Sequence, residues 1–279
     1  MRITPKQAGQ YRRDGFLILE NFVSGDACDL LKVRAEELVS QFDPQGLISI
    51  FSTREQSRVA DDYFLTSGDK IRFFFEEAAF LPDGSLKHAK EKSINKIGHA
   101  LHELDSVFRD FSRTADIRNL VSDLQISSPL LIQSMYIFKQ PNIGGEVSCH
   151  QDSTFLYTEP FELVGLWFAI EDATIENGCL WALPGGHMLG LKSRWVRTPQ
   201  GRMEFQTLQT PDWPENKLRP LEVKKGALVV LHGLLPHKSL ANRSATSRHA
   251  YTLHVMSGNV RYPSDNWLQR PADMPFGGF

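Results

Sequence analysis

His150 and Asp152 stand one residue apart in the stretch Ser148-Cys149-His150-Gln151-Asp152-Ser153-Thr154. In an extended strand the side chains at i and i+2 leave the same face, so an imidazole and a carboxylate can reach one point. That is two thirds of a metal site. A distant histidine as third ligand completes the two-histidine, one-carboxylate set of non-haem Fe(II) oxygenases. A hydrogen-bonded His–Asp pair in a surface turn presents the same spacing. What separates the two is whether the chain also supplies a third ligand and a cation for an anionic cosubstrate. Cys149 faces the opposite way along a strand and is expected to pack rather than ligate.

The chain holds nine histidines. His88, His99 and His102 fall in helical or looped sequence and read as surface or packing residues. His187 follows the turn Pro184-Gly185-Gly186, and His249 and His254 lie on the last long strand. His232 and His237 flank Gly233-Leu234-Leu235-Pro236, and both are open as third ligand. His237 begins a polar strand, His237-Lys238-Ser239, and Arg248 stands where the next strand starts. Neighbouring antiparallel strands can turn such positions toward one cavity. A guanidinium there suits the distal carboxylate of a 2-oxo diacid, which it can grip with two parallel hydrogen bonds.

The elements that must carry these residues follow in order. Thr4-Pro5 predicts a helix start and Asp14-Gly15 its end. Phe16–Leu19 reads as a buried strand. Ser24 caps a second helix, with Leu30, Leu31, Ala35, Leu38, Val39 and Phe42 at helical spacing. The pattern breaks up from Gln45 to Lys90. It returns as a helix from Glu91 to Leu124, with Ile97, Leu101, Leu104, Val107, Phe108 and Phe111 on its apolar face. From Leu130 onward short strands dominate: Leu130–Phe138, Leu163–Ile170, Ala227–His232 and His249–Met256, with turns at Asn177-Gly178, Pro184-Gly185-Gly186 and Asp265-Asn266. Helices followed by many short strands predict an α+β domain, a β-sandwich or barrel flanked by helices. No repeat and no linker divides the chain, so residues 1–279 read as one domain. The polar segment Pro199–Pro220 reads as a long loop, a frequent form of lid.

Bulk properties narrow the function. Net charge is −2, and Arg12-Arg13 and Lys224-Lys225 are too short for a nucleic-acid stripe. The three cysteines, Cys28, Cys149 and Cys179, are far apart and form no CxxC, which predicts free thiols in a reducing compartment. There is no signal peptide, no apolar run of membrane-spanning length, and no lipidation or peroxisomal signal in Pro275-Phe276-Gly277-Gly278-Phe279. A cytoplasmic protein with a small-molecule substrate, and neither nucleic acid nor membrane as partner, is the expectation. Composition says nothing about oligomeric state.

Several motifs together carry a resemblance: His150-Gln151-Asp152, Asn177-Gly178-Cys179-Leu180 with Pro184-Gly185-Gly186-His187, and His237 with Arg248. Asp69–Glu76, Lys92–His102, Gln133–Pro141 and Phe155–Pro160 extend it over nearly the whole chain. On these residues the sequence resembles the phytanoyl-CoA dioxygenase family. The resemblance implies a double-stranded β-helix, a cupin-like jelly roll, flanked by N-terminal and mid-chain helices. It implies Fe(II) held by His150, Asp152 and His237, which decides between the two candidate histidines. It also implies 2-oxoglutarate contacts at Lys96, Met135, Gln151, Trp167, Ser239 and Arg248. Without the resemblance Lys96 reads as an ordinary solvated helix lysine and Trp167 as core.

The implied reaction is an O2-dependent hydroxylation of a C–H bond with release of succinate and CO2, ascorbate serving as reductant. No catalytic residue beyond the metal ligands is expected. Two alternatives share these residues: a non-catalytic or sensor-type member that binds metal and 2-oxoglutarate, and a metal-dependent hydrolase on the same scaffold, to which Arg248 would be of no use. The chain starts at its first helix, without the presequence of the founding peroxisomal member, and its basic residues between Arg194 and Lys225 are scattered. Neither points to a peroxisomal location or a CoA phosphate site. The aromatic residues Tyr63, Phe64, Phe73, Phe74, Phe75, Phe155, Tyr157 and Trp181 are expected to be mostly core.

Overall fold

Thr4 accepts a hydrogen bond from the Gln7 amide while the Gln7 side chain accepts one from the Thr4 amide, and this capping box starts helix α1 (Pro5–Asp14). Gly15 ends it in the left-handed region at φ 79°. Strand β1 (Phe16–Leu19) follows, then α2 (Gly25–Gln41), capped by Ser24 and burying Cys28, Leu31, Ala35 and Val39. The structure, a computed structural model, describes residues 2–44, 49–51, 61–210 and 212–279. The expected break in pattern from Gln45 to Lys90 lies partly outside the described residues, at 45–48 and 52–60. Around them stand β2 (Ile50–Phe51), α3 (Asp62–Leu65) and β3 (Ile71–Glu76).

The helix expected over Glu91–Leu124 is corrected. Ile94–His99 is a strand, β4, buried at every position, and α4 (Leu101–Leu104), α5 (Ser106–Ser112) and α6 (Ala115–Asp123) follow separately. A strand buried on both faces shows no alternation, so Ile97 of β4 fell into one helical period with Leu101 and Leu104 of α4 by accident. Asp105 ends the run by accepting from the Val107 and Phe108 amides at the start of α5.

The second half is strands: β5 (Pro129–Ile137), β6 (Val147–His150), β7 (Leu163–Ala169), β8 (Leu180–Ala182), β9 (Ser193–Arg197), β10 (Met203–Thr207), β11 (Arg219–Leu221), β12 (Leu228–His232), β13 (His237–Ser239) and β14 (Ala250–Ser257). The loop expected over 199–220 is corrected too. β10 pairs with β9, Phe205 opposite Trp195, and β11 pairs with β8. Most of β10 is exposed, so the apolar alternation that marks a strand is missing there.

The strands form an eight-stranded sheet, ordered β1-β12-β7-β14-β5-β4-β3-β2, and a four-stranded sheet, ordered β11-β8-β13-β6. One face of the large sheet is covered by helices. Leu31, Val39, Phe108 and Val121 pack there against Leu166, Phe168, Tyr251, Leu253 and Val255, each such side chain stabilising the fold by roughly 1.5–3 kcal/mol. On β14 the alternate positions Thr252 and His254 turn to the other face, toward a cavity shared with the small sheet. Among the described residues no helix is long and apolar enough to cross a membrane.

Candidate metal centre

β6 and β13 are antiparallel neighbours with His150 directly opposite His237, and their ring centroids are 4.3 Å apart. The strand ends at His150, but Gln151 stays extended at φ −115° and ψ 135°. The two-residue alternation therefore carries through to Asp152, which opens a short 3-10 turn. Asp152 Oδ1 lies 3.5 Å from Nε2 of His150 and 3.6 Å from Nε2 of His237. One donor atom from each of the three residues falls within 4.8 Å of the others.

The second nitrogen of each histidine settles which atom it offers. Nδ1 of His150 is 2.8 Å from the Ser148 carbonyl and Nδ1 of His237 is 3.0 Å from the Leu235 carbonyl. A carbonyl only accepts, so both Nδ1 atoms carry hydrogen and both Nε2 lone pairs point at the shared centre. Burial pulls His237 down to about 4, against Asp152, which pulls it up; the ring is neutral at physiological pH. Burial alone would raise Asp152, but His237, His254 and His150 hold it well below the usual carboxylate range. Two imidazoles that turn Nε2 inward and an ionised carboxylate on one point are a donor set suited to a divalent first-row metal.

At the far end of the same cavity Arg248 is 2% exposed. Its Nε donates to the Gly178 carbonyl at 3.1 Å, its guanidinium sits 5.2 Å over the Trp167 ring, and its Nη1 is buried with no partner among the described residues. Burial brings Arg248 down to about 10. Lys139 stands nearby and donates to Ser239 Oγ at 2.9 Å; burial and Arg248 bring it down to about 7. A buried donor without an acceptor is costly, and a carboxylate placed here would supply one to Arg248, Lys139 and Ser239 together.

The other residues named from sequence sit as follows. Met135 and Trp167 line the cavity from β5 and β7. Lys96 is no solvated helix lysine: it is 5% exposed on β4, with Nζ 3.4 Å from the Phe51 ring centroid, and burial lowers it to about 7. Gln151 spends its side chain on the backbone, donating to the Gly190 and Leu234 carbonyls and accepting from the Lys192 amide. Any cosubstrate contact there falls to its main chain. His232 is elsewhere, against His187 and Tyr11. Cys149 reaches the cavity wall rather than the core, and burial pushes its thiol up to about 11. Of the aromatic residues expected as core, Phe64 and Phe155 line the cavity, joined by Trp195, Phe205 and Trp213. The cavity encloses about 340 Å³.

Sequence reasoning passed over three residues. Lys139 continues the two-residue alternation Gln133, Met135, Ile137 along and just beyond β5, all facing the cavity. Glu76, buried at 1% exposure, accepts from the Gly145 amide beside Lys139. His254 brings Nε2 to 3.3 Å from Asp152 Oδ2. Period-two alternation was the available signal for Lys139 and His254; for Glu76 there was none.

Known proteins resemble this chain in sequence and in fold. A family model described as phytanoyl-CoA dioxygenase (PhyH) matches residues 11–250. A phytanoyl-CoA dioxygenase of Arabidopsis thaliana is 47% identical over 274 residues, 98% of this chain and 95% of that one. Phytanoyl-CoA dioxygenase domain-containing protein 1 of Mus musculus is 47% identical over 284 residues, 98% of this chain and 97% of that one. Among solved structures, EctD from S. alaskensis with 2-oxoglutarate and 5-hydroxyectoine superposes with a TM-score of 0.65 at 19% identity, covering 96% of this chain and 84% of that one. The non-heme alpha ketoglutarate dependent carbocyclase SnoK does so with 0.65 at 17%, covering 98% and 96%. At such identities the solved structures share the fold. The family model and the near-half identity of full-length relatives say more: the chain belongs to the phytanoyl-CoA dioxygenase family.

Proposed function

We propose that this protein is an Fe(II)- and 2-oxoglutarate-dependent dioxygenase that hydroxylates a C–H bond of a small-molecule substrate, releasing succinate and CO2. Residues 1–279 act as one catalytic domain, and the two facing sheets are its double-stranded β-helix. The observation that carries the proposal is a single cavity with two unlike ends. One presents two Nε2 lone pairs and a carboxylate oxygen within 4.8 Å; the other presents a buried guanidinium with an unsatisfied donor.

In this reading His150, Asp152 and His237 hold the iron. Arg248 and Ser239 take the C5 carboxylate of 2-oxoglutarate, with Lys139 behind the serine. Lys96, Met135, Trp167 and the main chain of Gln151 complete the cosubstrate's contacts. Bound Fe(II) supplies the oxygen chemistry, fed by O2 and 2-oxoglutarate and kept reduced by ascorbate. The protein's part is to position and to exclude water. Arg248 fixes one end of the cosubstrate, and Phe64, Phe155 and Trp195 wall the remaining space with apolar surface. No side chain has to act as a general base. A cytoplasmic location fits the free thiols of Cys28, Cys149 and Cys179.

The experiment is succinate formation by purified protein with Fe(II), ascorbate and 2-oxoglutarate. His150→Ala and Asp152→Ala are each expected to abolish it. Succinate release that survived both substitutions would overturn the assignment. Incubation with a metabolite extract, followed by a search for a 2-oxoglutarate-dependent mass gain of one oxygen, identifies the substrate.

A further inference from the structure

Asp152 has two oxygens, and they face different partners. Oδ1 faces His150 and His237, at 3.5 Å and 3.6 Å, while Oδ2 lies 3.3 Å from Nε2 of His254. His254 belongs to the opposite sheet. It stands on β14, beside Gln133 of β5 and Gly165 of β7, and is 6% exposed. Its Nδ1 is buried without a partner among the described residues. An imidazole that faces a carboxylate with Nε2 and has nothing to donate to from Nδ1 carries its hydrogen on Nε2.

Two independent features aim this ring. The register of β14 against β7 runs unbroken through His254, so strand alternation turns His254, like Thr252, into the cavity; the slip against β5 skips Ile132 of β5 and leaves β14 regular. The neighbour on β7 is a glycine in mid-strand. A Cβ at Gly165 would stand 2.9 Å from Asp152 Oδ2 and 3.6 Å from His254 Nε2. Any other residue there would fill the gap across which carboxylate and imidazole meet, a recognised reason for glycine inside a strand.

We propose that His254 is a positioning residue of the metal centre: its Nε2–H holds Oδ2 of Asp152, so that the carboxylate presents Oδ1 alone to the metal, and Gly165 keeps the path between them open. The idea rests on the metal reading above but concerns residues that reading does not use. A carboxylate without this hold is free to rotate about its Cβ–Cγ bond. It then loses the alignment of Oδ1 with the two Nε2 atoms. Outer hydrogen bonds of this kind commonly change metal affinity about 10- to 100-fold.

The test uses the full chain, stripped of metal and titrated anaerobically with Co(II), whose visible absorption reports binding. Three variants are compared: His254→Leu, which fills the space without a donor; His254→Gln, which keeps an N–H at similar reach; and Gly165→Ala, which crowds Oδ2. His254→Leu and Gly165→Ala are expected to bind Co(II) about 10- to 100-fold more weakly, and His254→Gln within a few-fold of the unaltered protein. A general packing role would move the unfolding midpoint of the metal-free protein in Leu and Gln alike and would not be rescued by Gln. Unchanged Co(II) affinity in His254→Leu, or an equal loss in Leu and Gln, overturns the proposal. If His254→Leu fails to fold, unchanged affinity in Gly165→Ala overturns it instead. Unaltered protein that binds no Co(II), or binds it equally well as His150→Ala, removes the metal reading itself, so the two failures are told apart.

Discussion

A histidine ligates a metal through a lone pair, so the hydrogen bond on its second nitrogen matters as much as its position. His150 and His237 both commit Nδ1 to a backbone carbonyl two residues upstream, Ser148 and Leu235, and both offer Nε2 as a result. The pairing of His150 with Asp152 was legible from spacing, because strand alternation survives through one extended residue. Spacing did not choose between His232 and His237, since both flank the same turn. Pairing does: only His237 lies across from His150. At the other end of the cavity, Arg248 is expected to act through its planar fork and not through charge alone. Arg248→Lys keeps the charge and loses one of two parallel bonds. A hydrogen bond to a charged group is worth about 1.5–3 kcal/mol, so the 2-oxoglutarate concentration at half-maximal succinate release is expected to rise roughly tenfold or more. An unchanged value would mean that Arg248 does not hold the cosubstrate.

Among the elements, β4 departs furthest from expectation. As a helix it would have left Lys96 in solvent; as a buried strand it carries the ammonium against Phe51. The folded protein releases that proton near pH 7, whereas an unfolded chain holds it to about 10.4. Between those values the unfolded state binds more protons, so stability rises with pH across the window. Below it both states are protonated and the full cost of burying the charge is felt. Lys96→Met is therefore expected to stabilise the protein at pH 7 by roughly 1–4 kcal/mol, the range seen when buried charge gives way to apolar side chains. The gain should shrink toward pH 10 in urea unfolding, while cosubstrate binding weakens. The Asn177-Gly178 turn is a second element with a definite task. Gly178 sits at φ +87°, and a Cβ there would meet the Leu240 carbonyl at 2.6 Å and Lys139 Cε at 2.7 Å. Its own carbonyl seats Arg248. Gly178→Ala is expected to cost at least about 1 kcal/mol of stability and to raise the 2-oxoglutarate requirement along with it.

On the scale of the whole molecule, the site exists because two sheets face each other. The three residues that could hold a metal come from β6, β13 and the turn after β6, while Lys96, Met135, Trp167 and Arg248 come from or beside strands of the large sheet. Ligands that bind such a site but not the unfolded chain stabilise it by mass action. At a hundredfold excess over the dissociation constant the gain is about 2.7 kcal/mol, or roughly 5–10 °C in melting temperature for a chain of this size. Co(II) is expected to raise the midpoint on its own, 2-oxoglutarate to raise it further, and a chelator to cancel both. Arg248→Ala should keep the first increment and lose the second. Equal behaviour of the two increments in that variant would show that Arg248 and the metal ligands do not serve separate ligands.

The residues gathered in the cavity were readable from the chain because side chains able to hold a metal or an anion belong to few types, and strand alternation fixes which of them share a face. The two-residue spacing of His150 and Asp152, the polar strand at His237 and the arginine opening the next strand are local facts. The helix-to-strand correction at Ile94–His99, the hairpin at Ser193–Thr207, the buried Lys139 and the contact of His254 with Asp152 are not. Each depends on which strand lies alongside or across the cavity, and strand order is set by packing of elements far apart in sequence. Alternation puts Lys139 and His254 on the cavity side, but Ser239 and Asp152 become their partners only when the two sheets close on one another.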